Sequence, residues 1–344
     1  MRATTHIVGW ALFVLVVTPI SLGAQGSSGL VKLTPFGSHD GELCSADRAI
    51  VFEDPTGIRI LYDPGNTVDE TDARLGTIHA MLLSHVHGDH IGTNRPNRAG
   101  GTCAAPGAGA ANADSNFATI AAAKGAVVLV STDMVAFLGR KIQNVRGSAV
   151  PGCPTSGHEN ETIVPAPSTC TAGLNPGSSR MLTRSGAGSV RIAVVPALHT
   201  NGIPATLLEP PALPPGVVAT AGPPTGFVIA FSNGLRAYLS GDTGVTSEMD
   251  TVGRMYRPNL AVINVSDIFT TGPSEAAFAI QNMIRPASVM PSHVNEQATA
   301  EGRARAGTRV DRFTSLVQST TAVVLTLSGV TRSFDGEGRC IGCR

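Results

Sequence analysis

Between Met81 and His90 three histidines and an aspartate fall within six residues: His85, His87, Asp89 and His90. They follow directly on the apolar run Met81-Leu82-Leu83, which predicts a short buried strand. A strand that stops at Ser84 delivers the next residues to a sheet edge, where a loop can turn His85 and His87 toward one point. Gly88 allows that loop a sharp bend, and Asp89 and His90 open the next segment with a second pair of donors. Neutral imidazole and carboxylate are the nitrogen and oxygen ligands taken by zinc and similar ions. A polar turn that happens to be rich in histidine is the bland alternative, but four donors at this density identify a metal site. The strand-then-histidine pattern recurs twice, where Val190–Val195 runs into His199 and where Ser288-Val289-Met290 runs into His293.

Composition narrows what such a site serves. Lys plus Arg and Asp plus Glu are each 25 in a chain of 344 residues, so the net charge is zero, and neither nucleic acid nor an anionic membrane surface is expected as a partner. With 42% hydrophobic residues, 39 Gly and 23 Pro, one domain of residues 25–344 with long loops is expected. Residues 1–24 read as a secretory signal peptide: Arg2, an apolar run from Ile7 to Val17, then small residues before Gln25. The run is broken by Thr18 and Pro19 and is shorter than the ~20 apolar residues a spanning helix needs, so no stable membrane anchor is expected. The mature chain is then periplasmic or secreted, and its six cysteines are read as disulfides. Cys153 with Cys170 is the favoured pair, closing a loop rich in Pro, Gly and Ser. Cys340 and Cys343 are read as structural rather than redox-active.

The motif at His85, His87, Asp89 and His90 resembles that of the metallo-β-lactamase superfamily of metal-dependent hydrolases. Tyr238-Leu239-Ser240-Gly241-Asp242-Thr243-Gly244 is similar to that superfamily's bridging-aspartate motif, most like the branch holding ascorbate-6-phosphate lactonase. The resemblance implies an α/β fold, a four-layer αββα sandwich with the metal site at the sheet edges. It implies that His85, His87 and His199 hold one divalent ion, that Asp89, His90 and His293 hold a second, and that Asp242 is shared. Zinc is the default, with manganese or iron as alternatives. Asp63, at a strand end before Pro64, is expected behind a ligand histidine. His39 and Asp89 are the expected catalytic side chains, with Asp89 orienting the nucleophile or passing a proton. In the lactonase-like branch the stretch matching Ser266–Thr270 carries Gly-His before the Phe; here Asp267 and Ile268 stand instead, which puts that branch's substrate in doubt.

The remaining elements fit that frame. Strands are expected at Val31–Leu33, Ala49–Glu53 and Ile58–Leu61, then a helix over Phe117–Lys124, a strand over Ala126–Val130 and a helix over Met134–Ile142. A hairpin follows through Ser232-Asn233-Gly234-Leu235, with Asn-Gly as its turn signal, then a strand at Leu260–Val265 and a helix from Thr271 to Ile284. The chain closes with a helix over Arg303–Gln318 and strands over Ala322–Leu327 and Val330–Phe334. Loops are expected at 95–116, 144–188 and 203–224. His158 reads as a solvated loop residue, and the apolar 203–224 stretch could be a lid or a buried connector.

The expected activity is hydrolysis of an ester or lactone by a metal-bound hydroxide, on a small and lipophilic substrate. A phosphodiester or organophosphate hydrolase and a β-lactamase share the same core and stand as alternatives. A metal-bearing binding protein is the non-enzymatic reading, which seven intact ligand positions disfavour. Oligomeric state is not legible.

Overall fold

In the computed structural model, parallel strands carry the chain repeatedly to one edge of two sheets. The structure describes Met1 and residues 29–157, 160–210 and 213–343; the rest of the expected signal peptide, and His158, lie outside the described residues. Arg59–Tyr62, Ala80–Leu82 and Val127–Ser131 are consecutive parallel neighbours in the first sheet. Arg236–Leu239, Leu260–Asn264 and Ser288–Ser292 are the same in the second. Gly188–Pro196 runs antiparallel to Thr225–Ala230, which runs antiparallel to Arg236–Leu239, so it too points toward that edge. Ligand sites gather outside the carboxyl ends of such strands because the loops there converge.

Each sheet has eight strands. Between them lies an apolar core that includes Leu33, Phe52, Ile60, Leu82 and Leu129 from one side and Ile192, Phe227, Leu239 and Val262 from the other. Alternate residues of the same strands face outward to helices, as the two-residue period requires. Leu61, Met81 and Val128 meet Phe117 and Ile120 of the helix Asn116–Lys124 and Leu138 of the helix Met134–Arg146. Val195, Tyr238 and Ile263 meet Met249, Ala276 and Phe313 from the helices Glu248–Tyr256, Pro273–Ala279 and Arg309–Leu316. The order is helix, sheet, sheet, helix: the expected four-layer αββα sandwich. No helix among the described residues is long and apolar enough to cross a membrane.

Several elements differ from expectation. The stretch 95–116, expected as a loop, carries the hairpin Asn94–Gly101 with Pro106–Ala111. The stretch 144–188 contributes Cys170–Leu174 to the first sheet, and Glu161–Ile163 and Ser179–Arg184 to the second. The hairpin and the edge strands Glu161–Ile163 and Cys170–Leu174 are short, polar or Gly-rich, and carry little alternation, so periodicity does not reveal them. The last helix is shorter than expected because Arg303–Ala304 pairs with Thr299–Ala300, and the helix starts only after Thr308, whose hydroxyl caps Asp311 N. The strand expected over Ala322–Leu327 ends at Val323. Cys153 pairs with Cys170 as expected, Cys44 pairs with Cys103, and Cys340 with Cys343.

Candidate metal centre

Each expected ligand sits one to eight residues beyond a strand of the converging set. His85 and His87 leave Ala80–Leu82, and Asp89 and His90 lie in the single helical turn Gly88–Ile91. His199 follows Gly188–Pro196, Asp242 follows Arg236–Leu239, and His293 directly follows Ser288–Ser292. Gly88 does not bend the loop through a left-handed conformation. It is needed because a Cβ there would press on Thr93 Oγ1 at 2.8 Å. Gly241 has a φ of 60°, and a Cβ on it would meet the Thr225 carbonyl at 2.7 Å and Ser84 at 3.1 Å. That backbone approach brings Asp242 against the histidine loop of the other sheet.

The donors form three overlapping groups, each with ligand atoms within 4.8 Å of one another: His85, His87 and His199; His85, His90 and Asp242; Asp89, His90 and His293. Asp242 is the hub. Its oxygens lie 3.8 Å from His85 Nε2, 3.3 Å from His90 Nε2, 3.6 Å from His199 Nε2 and 3.0 Å from His293 Nε2. His293 Nε2 also lies 3.3 Å from Asp89 Oδ2. Buried polar atoms are ordinarily hydrogen-bonded, yet His85 Nε2, His90 Nε2 and Asp242 Oδ1 are buried without a hydrogen-bond partner. Orphaned donors converging on one space are what a cation would satisfy, so these residues fit a metal.

Behind the ligands, Asp63 sets the imidazoles. Its carboxylate accepts from His90 Nδ1 at 2.8 Å, from Ser84 N at 2.8 Å and from Ser84 Oγ at 2.6 Å. Ser84 Oγ lies 3.0 Å from His85 Nδ1. With protons placed on the two Nδ1 atoms, both Nε2 lone pairs face the cluster. Asp63 holds φ at 40° and His293 at 47°, a region costly for residues with a Cβ and retained mostly where a site demands it.

Charge is unevenly distributed. Burial, then neighbouring imidazoles, push His85 and His87 below the ordinary histidine range, and burial does the same to His199, which keeps all three neutral. Burial also opposes charge on His90, but Asp242 and Asp89 outweigh it and raise that imidazole from 6.5 to about 10. Burial alone would raise Asp242 and Asp89; His90 with His293, and His90 with Arg48, hold them well below the carboxylate range. Without an ion, the proton on His90 therefore favours the fold below about pH 6.5, and that contribution fades as pH rises toward 10. An ion takes the proton's place. Zinc binding at pH 8 is expected to release about one proton from this site, measurable by calorimetry in buffers of different ionisation enthalpy. Uptake with no proton released would show that His90 does not serve as a ligand.

Of the expected site residues, His39 is not tied to the ligands. Its ring meets Ser38 Oγ at 3.0 Å, and it has no hydrogen bond or ion pair to the cluster. Three residues were not legible as part of the site. Arg48 binds Asp89 Oδ2 through Nε at 3.2 Å and Nη2 at 2.9 Å. Asn201 accepts from Val86 N at 2.8 Å and donates to the Ala221 carbonyl at 3.2 Å, joining the histidine loop to the 203–224 stretch. Ser84 couples Asp63 to His85. Ser84 could have been suspected as the strand-end residue beside the motif; Arg48 and Asn201 carry no sequence signal.

Residues 58–294, which span every ligand from His85 to His293 and Asp63 behind them, match the family described as the beta-lactamase superfamily domain. The chain is similar to a UPF0173 metal-dependent hydrolase of Thermodesulfovibrio yellowstonii, 26% identical over 283 residues, covering 82% of this chain and 83% of the relative. It is also similar to one of Cupriavidus necator, 26% identical over 263 residues, covering 72% and 71%. Among solved structures it resembles Igni18, a metallo hydrolase from Ignicoccus hospitalis, with a TM-score of 0.55 at 20% identity over 89% of this chain and 99% of that one.

Proposed function

This chain belongs to the beta-lactamase superfamily and is a metal-dependent hydrolase, and from that premise we propose that it holds two divalent ions, zinc by default, and opens lipophilic esters or lactones outside the cytoplasm. The observation that carries the dinuclear reading is the position of Asp242 between the two ligand sets: Oδ2 faces His85 and His199 at 3.8 and 3.6 Å and also His293 at 3.0 Å, while Oδ1 faces His90 at 3.3 Å. When bound, the ions would supply an activated water and Lewis acidity toward the scissile group. The protein's part is to hold the His85 and His90 imidazoles by their Nδ1 sides, keep Asp89 and Asp242 anionic, and line the approach.

We read three exposed apolar side chains as the lining of that approach. Leu198, Ile268 and Phe269 are 63%, 65% and 71% exposed, on loops hydrogen-bonded to the segment that follows Asp242. Leu198 N donates to Thr243 Oγ1 at 2.9 Å, and Thr271 N to the Thr243 carbonyl at 3.0 Å. The cation bonded to the cluster, Arg48, is committed to Asp89, Asn295 and two carbonyls, so it is not free for the anionic oxygen of a phosphodiester. Both features favour a neutral carbonyl substrate over a phosphodiester. Export is supported by the sequence of residues 1–24 and by the paired cysteines.

The test is metal analysis of the mature protein, with turnover measured on acyl lactones of increasing chain length, a chromogenic β-lactam and a bis-aryl phosphate. Two ions per chain and turnover confined to lactones are expected; turnover of the phosphate alone sinks the substrate reading. Phe269→Ser is expected to raise KM for long-chain lactones roughly tenfold with kcat little changed, since a lost apolar contact is worth about 1–3 kcal/mol. An unchanged KM would remove Phe269 from the substrate path.

A further inference from the structure

His293 is held differently from His85 and His90. His85 and His90 are braced from behind by Ser84 and Asp63, whereas His293 Nδ1 is buried with no hydrogen-bond partner. Its place therefore depends on its backbone, where His293 and Asn295 have φ values of 47° and 51°. Two ties hold that loop downstream: Glu296 accepts from Arg309 N at 2.6 Å, and Ala298 N donates to the Leu43 carbonyl at 3.0 Å. The tie nearest the ligand is Arg48. Its guanidinium, with a side chain only 4% exposed, reaches Asn295 Oδ1 at 2.8 Å through the same Nη2 that binds Asp89 Oδ2. Nη1 donates to the carbonyls of Ser45 and Asp47 at 3.1 and 3.0 Å, so the group is fixed from the far side as well.

We infer that Arg48 is the positioning residue of the Asp89–His90–His293 cation position, clipping the loop of His293 to the turn of Asp89 through one planar group. The inference rests on the dinuclear reading above. A guanidinium suits the task because its fork holds several acceptors in fixed directions, which an ammonium cannot do. One guanidinium bonded to Asp89 and Asn295 fixes the spacing of two ligand-bearing segments that are 204 residues apart in the chain, as the numbers of Asp89 and His293 show. The His85–His87–His199 position has its own supports and does not use it.

The test is Co2+ titration of the full metal-free chain, followed by visible absorption and by ions bound per chain, for wild type, Arg48→Met, Arg48→Lys and Asn295→Ala. In Arg48→Met one of the two ions is expected to lose roughly 10–100-fold in affinity, the range seen when a residue behind a ligand is removed, while the other stays within about twofold. Arg48→Lys, which keeps charge but cannot span both partners, is expected to fall between Arg48→Met and wild type. Asn295→Ala leaves the Asp89 contact in place and is expected to weaken the same ion severalfold; it carries the test if Arg48→Met does not fold. Equal weakening of both ions, a tighter second ion, or full rescue by lysine each overturns the inference. A wild type that takes one ion instead sinks the dinuclear premise, and the two failures are told apart by that arm alone.

Discussion

Asp242→Ala is expected to lower turnover roughly a thousandfold, equivalent to about 4 kcal/mol of barrier, and to leave the chain with less than one tightly bound ion. The magnitude follows from the residue's position. Four imidazole Nε2 atoms lie between 3.0 and 3.8 Å from its oxygens, so one truncation removes an anionic donor from both groups. Its charge is also the main influence raising His90, so metal uptake by the variant should release fewer protons at pH 8. Metal content and turnover, measured on the same preparation, check this. A variant with two ions and near-normal rates would falsify the central place given to Asp242.

Asp63→Asn is expected to weaken metal binding roughly 10–100-fold and to destabilise the fold by about 1–3 kcal/mol. Asp63 is 1% exposed and accepts three hydrogen bonds, two from Ser84 and one from His90. An amide can accept on one atom only. If its oxygen keeps Ser84 N, its nitrogen faces Ser84 Oγ and the Nδ1–H of His90, and donor meets donor. His90 then relieves the clash by moving its proton to Nε2, which blocks the lone pair that faces the cluster. The change should appear as a lower metal affinity and a lower denaturation midpoint in the metal-free chain. A midpoint loss with metal affinity unchanged would limit Asp63 to a structural role.

Ligand residues were legible to different depths, for a physical reason. His85, His87, Asp89 and His90 announce themselves because a single turn collects them, so their spacing along the chain is their spacing in space. His199 and His293 are weaker signals, each a lone histidine after an apolar strand, and they gain meaning only with a partner cluster. His39 is a weaker signal still: its position before the second strand resembles an early histidine of relatives, and its ring is hydrogen-bonded to Ser38 and not to a ligand. Arg48 shows the reverse. Nothing about an arginine ahead of Ile50–Glu53 suggests a bond to Asp89, because an ion pair between distant segments leaves no periodicity or spacing behind.

What the chain's order of residues determined by itself was the chemistry and the layers. Imidazole and carboxylate at strand ends specify a cation site, and strands with apolar faces on both sides require a sheet covered by another sheet and by helices. Tertiary structure alone decided convergence and bracing: that parallel registers bring Asp63, His85, Asp242 and His293 to one edge, that Gly241 lets the two sheets approach there, and that Ser84, Asn201 and Arg48 hold the ligands in place. The difference is one of range. Local patterns record a residue's neighbours along the chain, whereas a ligand set drawn from positions 85 to 293 exists only once long-range packing has closed the loops between them.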